Sequence, residues 1–401
     1  MKYRWLVAVL CFLLIFLGLG FCISGRSIFL APITQALNIS RSAFSVCDSI
    51  RYATSAALSF LMGKLIQHFG TKRLICLGLI SLLAATLLYA TASHLLPFYV
   101  GSVFFGIGLA LGATAMVSTV INSYFPGKSG TLMGVILGAN GLGAAVSVQL
   151  FTPLIESHPF GYRTAYFITF GIIAVFLILF LILYKDPQQI HKKQQQSGND
   201  GLTLTQLRHM PVFYVTVICV LLTSAILQGV SGIAAAHVRD VGLSAQIAAT
   251  MVSISSVALL FSKILSGFVT DKLGLRTSVN LSYMTTFCAI LLLIFLTEQY
   301  AAFTYGYAIM MAIGLPLETV MLPLLTAHLF GRKDFAAIMG IMSAIHSIGS
   351  AIGTPLINLS YDQLGTYRPV LMAVAALPVI LLICYQWIIP HIKNIRKRES
   401  Q

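Results

Sequence analysis

Residues 267–276 read GFVTDKLGLR and close a long apolar stretch, 246–270. A related sequence, GKLIQHFGTKR at residues 63–73, closes a second apolar stretch, 43–68. Both apolar stretches exceed the roughly 20 residues that a helix needs to cross a bilayer. We therefore expect each basic, glycine-containing segment to lie in water at the end of a membrane helix.

The composition of the whole chain agrees with this interpretation. Of the 401 residues, 58% are hydrophobic and 9% are charged, and the mean hydropathy is +0.90. The core of a soluble protein of this size could not hide so much apolar surface, which excludes a soluble enzyme. Long Leu, Ile, Phe and Ala runs with a helical period also exclude the alternating strands of an outer-membrane barrel.

Polar clusters divide the chain into twelve predicted membrane helices, with ends placed to within about 2 to 4 residues. They are 5–33, 43–68, 74–94, 97–125, 131–155, 164–184, 212–236, 246–270, 277–297, 300–330, 335–359 and 368–390. The predicted fold is therefore all-α, with two pseudo-symmetric six-helix bundles. The first bundle is residues 1–184, and the second is residues 212–401, which end in a short basic tail. A polar cytoplasmic linker, residues 185–211, joins the two bundles.

The distribution of basic residues predicts the orientation. The chain has 25 Lys and Arg against 11 Asp and Glu, a formal charge of +14. With both termini in the cytoplasm, 18 of the 25 basic residues fall inside, 4 fall outside, and 3 (Arg26, Arg51 and Lys263) fall within spans. Cytoplasmic loops collect Lys and Arg, so we expect a multi-pass protein of the cytoplasmic membrane with both termini inside. The charge is divided among many short loops, which excludes a nucleic-acid-binding face.

Similar segments recur at an offset near 204 residues, which indicates a duplicated six-helix unit. Besides the two basic loops, the matched blocks are YFPGK at 124–128 with LFGRK at 329–333, MG at 133–134 with MG at 339–340, TPLI at 152–155 with TPLI at 354–357, and GYR at 161–163 with GTYR at 365–368. The blocks occur in the same order in both halves.

With this repeat, the chain resembles a major facilitator superfamily transporter over nearly its whole length. The loop at 267–276 is similar to the inner-loop signature of that superfamily, whereas the first copy has Gln67 where an acid is usual. The resemblance implies a cytoplasmic gate in which acid and base pair and glycines let helix ends approach closely. The predicted gate residues are Gly63, Lys72, Arg73, Gly267, Asp271, Lys272 and Arg276.

A narrower resemblance is to the monocarboxylate transporters and the oxalate/formate antiporters. The segments that carry it are GRSIF at 25–29, HVRDVGLS at 237–244 and KILSG at 263–267. In those families a cation four residues before the glycine engages the substrate carboxylate, and Lys263 takes that place here. Leu259 stands where the monocarboxylate carriers have an aspartate, and His346 stands where the antiporters have a lysine.

Ionisable side chains within the spans are the candidate binding and coupling residues, because a charge at the bilayer centre costs about 2.5 to 3.5 kcal/mol or more. Lys263 lies about 12 Å along the helix from Asp271, near the midplane. The predicted substrate-binding residues are Arg26, Lys263, His346, Asn140 at the position pseudo-equivalent to His346, and Tyr52. The predicted proton-coupling or ion-pair residues are Asp48, Arg51 and Glu318.

Structural alternatives exist for each of these residues. Arg26 can instead snorkel to water, Lys263 can form a structural ion pair, and His346 can be a hydrogen-bonded core group. Asp48 and Arg51 share a helix face and either neutralise each other or serve gating and proton transfer. Glu318, two residues after Pro316, is either the partner of Lys263 or a proton site.

Interior cations on several spans favour a small organic anion as the substrate. We expect a monomeric secondary transporter that moves a mono- or dicarboxylate by alternating access, as proton symport or anion exchange. The sequence contains no HExxH, Walker, nucleophile-elbow or CxxC motif, so we expect neither enzyme activity nor a metal or cofactor. The alternatives are an exporter of drugs or other solutes with the same fold and a transporter-like receptor that binds without carrying.

Overall fold

The computed structural model describes residues 2–112, 116–117, 120–121, 124, 129–158, 160–185, 203–331 and 334–399, and these ranges are almost entirely helical. The α-helices, numbered in chain order, are α1 Lys2–Leu14, α2 Leu30–Leu37, α3 Arg41–Thr91, α4 Leu95–Gly112, α5 Ser129–Glu156, α6 Gly161–Leu183, α7 Leu204–Leu207, α8 Pro211–Asp240, α9 Ala245–Leu273, α10 Leu275–Ile294, α11 Phe303–Gly314, α12 Pro316–Thr319, α13 Met321–Phe330, α14 Phe335–Leu364 and α15 Arg368–Glu399.

The described helices confirm the predicted all-α membrane fold. Among the described residues, ten helical stretches are long and apolar enough to cross a bilayer, and the first of them, Tyr3–Leu37, joins α1 and α2 through irregular turns. The pair Phe303–Thr319 and Met321–Phe330, bent by 46°, makes an eleventh when it is counted as one span. The remaining predicted span, 43–68, is the first part of α3, where Asp48, Arg51 and Lys64 lower the mean hydropathy. Large apolar side chains face outward, with Ile182 70% exposed and Phe261 64% exposed, as lipid contact requires.

The repeated basic loops have the same backbone feature. Gly70 in α3 has φ 75° and breaks the helix between predicted spans two and three. Gly274, 204 residues later, has φ 88° and separates α9 from α10. Only glycine adopts positive φ without a steric penalty, so the two turns explain why a glycine recurs at this place in the repeat.

The repeated GYR and GTYR blocks also have matching contacts. Arg163 donates from Nη2 to the carbonyl of Ala92 at 2.9 Å, just beyond the end of α3. Arg368 donates from Nη2 to the carbonyl of Leu296 at 3.1 Å, just beyond the end of α10. Each arginine therefore satisfies a carbonyl that the preceding helix end leaves without an intrahelical partner.

Close helix crossings repeat as well. A Cβ atom on Gly20 would lie 2.6 Å from the Cα atom of Gly143, so predicted spans one and five touch through backbone. A Cβ atom on Gly353 would lie 2.1 Å from the carbonyl oxygen of Ala225, which brings spans seven and eleven equally close. Small residues at these crossings allow the close packing on which membrane helices depend.

The chain divides into two compact units. The first unit is Met1–Lys192 with Ile233–Val257, and the second unit is Lys193–Gly232 with Ala258–Gln401. The end of α8 and the start of α9 thus belong to the first unit, although they lie in the second half of the sequence. The two six-helix bundles with boundaries at residues 184 and 212 stay a prediction.

Candidate binding and coupling sites

The first unit contains a buried cluster of two arginines and one aspartate. Arg26 Nη1 lies 2.7 Å from Asp48 Oδ1, and Arg51 Nη2 lies 2.8 Å from the same oxygen. The side chains of Arg26, Asp48 and Arg51 are only 10%, 17% and 5% exposed. Two guanidinium groups and one carboxylate leave this cluster with one net positive charge.

The backbone around Arg26 departs from a regular α-helix. π-helical turns at Ile15–Phe21 and 3-10 turns at Ser24–Phe29 interrupt the span between α1 and α2. The segment contains Gly18, Gly20 and Gly25, and short π-helical segments are frequent at functional sites. This irregular segment places Arg26 against Asp48 of α3.

Some donors in this cluster have no acceptor. Among the described residues, Nε and Nη1 of Arg51 make no hydrogen bond, although both atoms are buried. The guanidinium of Arg51 lies 4.8 Å from the centre of the Tyr52 ring, and that of Arg26 lies 6.0 Å from the centre of the Phe44 ring. Buried guanidinium N–H groups that lack an acceptor, in a cluster with a net positive charge, are suited to bind a carboxylate.

The second unit contains a pocket lined by a buried acid, Glu318. Gln228 Nε2 donates to Glu318 Oε2 at 2.8 Å, and His346 Nε2 lies 3.7 Å from the same oxygen. Glu318 Oε1 makes no hydrogen bond to any described residue, and the side chain is 4% exposed. The other polar groups lining the pocket include Thr223, Ser224, Tyr283 and Tyr385.

The sequence leaves two roles open for Glu318, the partner of Lys263 or a proton site. The acid neighbours His346 and Gln228, and the described contacts include no ion pair with Lys263. Pro316 begins α12, which ends just before the bend of the tenth span at Val320, and Glu318 on this short helix lines the pocket. A buried acid with one oxygen that accepts no described hydrogen bond is a candidate site for a proton.

Lys263 is half-buried in α9 and forms no ion pair or hydrogen bond within the described part of the chain. Gly267 lies one turn further along the same face, and a Cβ atom there would meet no described atom within 4 Å. This face of α9 therefore borders open space. The predicted binding of an anion by Lys263 stays a prediction.

The other predicted binding residues are Asn140 and Tyr52. Tyr52 is half-buried beside Arg51, as the ring contact shows. Asn140 is half-buried on α5, next to Gly141. Because Tyr52 contacts the cluster directly, it is placed to shape the site around Arg51.

The predicted gate residues have the following surroundings. Lys72 Nζ donates to the carbonyl of Leu181 at 2.9 Å, and Lys272 Nζ lies 4.7 Å from the centre of the Phe268 ring. Arg276 Nε donates to the side-chain oxygen of Gln386. The side chain of Asp271 lies outside the described residues, Gly63 lies within α3, and Arg73 is exposed. The predicted pairing of acid and base at this gate stays a prediction.

The sequence of the chain matches a known protein family. The family model of the Major Facilitator Superfamily matches residues 8–317 and 218–400. The chain belongs to the major facilitator superfamily. The resemblance seen in the sequence is thus confirmed, and this member of the superfamily is a multi-pass membrane transporter.

Two relatives of this superfamily member span nearly the whole chain. This chain is 22% identical to the uncharacterized MFS-type transporter YcxA of Bacillus subtilis (strain 168), and the alignment covers 100% of this chain and 98% of the relative. This chain is also 23% identical to monocarboxylate transporter 13 of Bos taurus, and the alignment covers 91% of this chain and 84% of the relative. Among solved structures, a variant of the nucleoside transporter NupG matches with a TM-score of 0.80, 14% identity and coverage of 95% and 99%. That likeness shows the shared fold.

Proposed function

We propose that this transporter carries a small organic anion, a mono- or dicarboxylate, across the cytoplasmic membrane by alternating access. The observation that carries the proposal is the buried cluster of Arg26, Asp48 and Arg51, with its net positive charge. A net buried charge is unfavourable without a counterion, and an anionic solute supplies that counterion.

Lys263 supports the same substrate class from a separate position. It is a half-buried cation on a face that borders open space, and it has no described ionic partner. In the families with a similar KILSG segment, the equivalent cation engages a carboxylate. The similarity to monocarboxylate transporter 13 agrees with that role for Lys263.

Proton symport is the coupling mode that the pocket of the second unit favours. Glu318 has one oxygen without a described hydrogen bond, and His346 lies beside its other oxygen. A proton on this pair would alter the local charge, and binding of an anion would favour that proton by linkage. Anion exchange is the second candidate, because Leu259 replaces the aspartate that the monocarboxylate carriers have at this position.

An exporter of lipophilic cations is less well supported. Such a protein is expected to present unpaired acids to its substrate. The acids that the structure describes in the two clusters are both partnered, Asp48 by two arginines and Glu318 by Gln228 and His346. The net charge of the Asp48 cluster would repel a cation.

Transport by purified protein in proteoliposomes tests this proposal. A panel of radiolabelled mono- and dicarboxylates is offered with and without an inward proton gradient, and counterflow of unlabelled solute is measured in parallel. We expect saturable uptake of at least one carboxylate, which excludes a receptor that only binds. Uptake of organic cations with no uptake or exchange of any carboxylate would contradict the proposal.

A further inference from the structure

A polar network joins α10 and α15 at the end of the second unit where α10 begins. Arg276, in the first turn of α10, donates from Nε to the side-chain oxygen of Gln386 on α15. Gln386 in turn donates from Nε2 to the side-chain oxygen of Asn280, one turn further along α10. The network uses both polar atoms of Gln386 and holds the exposed side chain of Arg276 beside α15.

Most of the guanidinium group of Arg276 is left over by this network. Its Nη1 and Nη2 atoms make no hydrogen bond or ion pair with the side chains that the structure describes. A guanidinium presents its donors as a planar fork that matches the oxygens of a carboxylate or a phosphate. Arg276 therefore offers two nitrogen atoms to an anion from outside the chain.

Trp387 follows Gln386 and lies on the outward side of α15. Its ring stacks on the exposed ring of His391, with the centroids 5.0 Å apart and the planes at 20°, and Trp387 is 48% exposed. Ile380 and Ile383 precede Trp387 on the same helix face and are 51% and 63% exposed. The face thus changes from aliphatic to amphipathic rings, as helix surfaces do where they leave the hydrocarbon for the headgroup region.

The sequence around this end of the unit is basic. α15 continues to Glu399, about 20 Å beyond Gln386 at the helical rise per residue. The segments 271–276 and 391–399 together contain six Lys and Arg residues and two acids. The basic residues are Lys272, Arg276, Lys393, Arg396, Lys397 and Arg398, and the acids are Asp271 and Glu399. The excess of positive charge attracts anions to this end of α10 and α15.

The matching place in the first repeat has a different surface. Lys72, 204 residues before Arg276, donates from Nζ to the carbonyl of Leu181 at 2.9 Å. Ile182, the counterpart of Trp387 at an offset of 205, is an aliphatic side chain that is 70% exposed, and α6 ends one residue later. A contact of the basic residue with the last helix of its unit therefore recurs. Within the described residues, the stacked rings and the basic helical continuation belong to the second unit.

We propose that Arg276, Trp387 and His391, here called the headgroup patch, bind the headgroup of an anionic phospholipid. The N–H groups of Arg276 and a ring N–H of His391 donate to the phosphate, while the indole of Trp387 lies at the level of the headgroup. The acyl chains lie on exposed aliphatic side chains of the same two helices, namely Leu281, Met284, Ile380 and Ile383.

The surroundings of the headgroup patch favour a lipid over a soluble anion or a soluble protein. The charged donors border directly on aliphatic side chains that are exposed in the hydrocarbon region, and only a lipid satisfies both surfaces with one molecule. Basic residues beyond the end of a membrane helix strengthen the attraction to anionic headgroups, by about fivefold in affinity for each residue near the surface. The basic end of α15 supplies such residues.

Tryptophan fluorescence gives a local measurement, because the chain contains only two tryptophans, Trp5 and Trp387. The full-length protein with Trp5→Phe is reconstituted in an equimolar mixture of phosphatidylglycerol and phosphatidylcholine, with bromine on the acyl chains of one lipid or of the other. We expect quenching of Trp387 to show about a tenfold preference for phosphatidylglycerol. Trp387→Phe leaves Trp5, 61% exposed in the first unit, as the reference, and it should show a much smaller preference.

Two variants test the charges of the headgroup patch and of the helix end. Arg276→Gln should lower the preference at Trp387 about fivefold, whereas Lys72→Gln, the matched change in the first repeat, should leave it unchanged. If Arg276→Gln folds poorly, a variant that leaves the network intact provides the same test. It replaces four basic residues by glutamine and should also lower the preference, and these residues are Lys393, Arg396, Lys397 and Arg398.

Competition with a soluble phosphate distinguishes the two sources of the anion. Millimolar glycerol 3-phosphate should leave the quenching of Trp387 unchanged, because it lacks the acyl chains. Displacement of phosphatidylglycerol by this compound would assign the patch to a soluble phosphate and overturn the proposal.

Three further results would overturn the headgroup patch. They are equal preferences at Trp387 and Trp5, a preference that survives in both charge variants, and the absence of quenching of Trp387 by either lipid. The last result would mean that protein, such as a second copy of the chain, covers this surface. None of these measurements involves transport, so the outcome is independent of the proposed substrate.

Discussion

Arg26 and Arg51 come from different membrane spans and approach the same carboxylate oxygen of Asp48, at 2.7 Å and 2.8 Å. One acid thus neutralises only half of the positive charge of the cluster. In a membrane interior such an imbalance is unfavourable, and it is usually kept for a function. This imbalance is the basis of the proposal that an anion binds at the cluster.

Asp48 should be more important for stability than Arg51. Asp48→Asn leaves two guanidinium groups facing each other without a carboxylate, whereas Arg51→Gln keeps the pair of Arg26 with Asp48. Because removal of one partner of a buried ion pair costs about 3 to 5 kcal/mol, Asp48→Asn should clearly lower Tm. Thermal unfolding in detergent measures this effect, and a smaller loss of Tm in Asp48→Asn than in Arg51→Gln would argue against the shared pairing.

Lys263 should be essential for uptake of a carboxylate. Lys263→Ala should abolish transport with little loss of expression, because the side chain has no described partner in the folded protein. Lys263→Arg keeps the charge and should retain part of the activity. Lys185→Ala, at an exposed position after α6, is the control for removing a lysine. Normal uptake by Lys263→Ala would show that the anion binds elsewhere.

Substitution of Glu318 should distinguish proton-driven accumulation of the substrate from anion exchange. In Glu318→Gln the side chain at position 318 cannot gain or lose a proton, so a symporter that uses this acid should lose accumulation driven by a pH gradient and keep counterflow. Glu298→Gln changes an exposed acid and should leave both unchanged. Accumulation that survives in Glu318→Gln would remove this residue from the coupling mechanism.

The orientation of the chain can be tested in the linker, at a position outside the described residues. Ser197→Cys should resist an impermeant maleimide in intact cells and react after lysis, because the distribution of basic residues predicts that this segment lies in the cytoplasm. The background lacks Cys288 and Cys384, the two described cysteines that are not buried. Labelling of Ser197→Cys in intact cells would reverse the assigned topology.

The two glycines with positive φ in the basic loops should not tolerate a side chain. Gly70→Ala and Gly274→Ala should each destabilise the protein by about 1 to 2 kcal/mol, since a left-handed backbone strains a residue with a Cβ atom. Gly171→Ala, within α6 and in open space, should be neutral or slightly stabilising. Equal Tm values for all three variants would contradict this explanation of the repeat.

Much of the fold followed from local sequence properties. The length of the apolar runs and the repeated loops predicted the membrane helices and the superfamily, because bilayer thickness fixes helix length whatever the helix packs against. The pair of Asp48 with Arg51 was also predictable, since residues three apart share a helix face. The irregular turns from Ile15 to Phe29 and the bend at Val320 were not, because they depend on packing against neighbouring helices.

The partners of the charged residues were decided by tertiary structure. Sequence reasoning placed Arg41 and Arg239 only as outside charges. In the structure Arg41 pairs with Asp240, and Arg239 pairs with Glu156. Sequence reasoning left Glu318 with either Lys263 or a proton, and the structure brings Gln228 and His346 to it instead. The sequence by itself determined which residues are charged and at what depth in the helices they lie. Only the tertiary structure decided which charges meet, because an ion pair between helices requires two side chains within about 4 Å, and helix rotation and crossing set that distance.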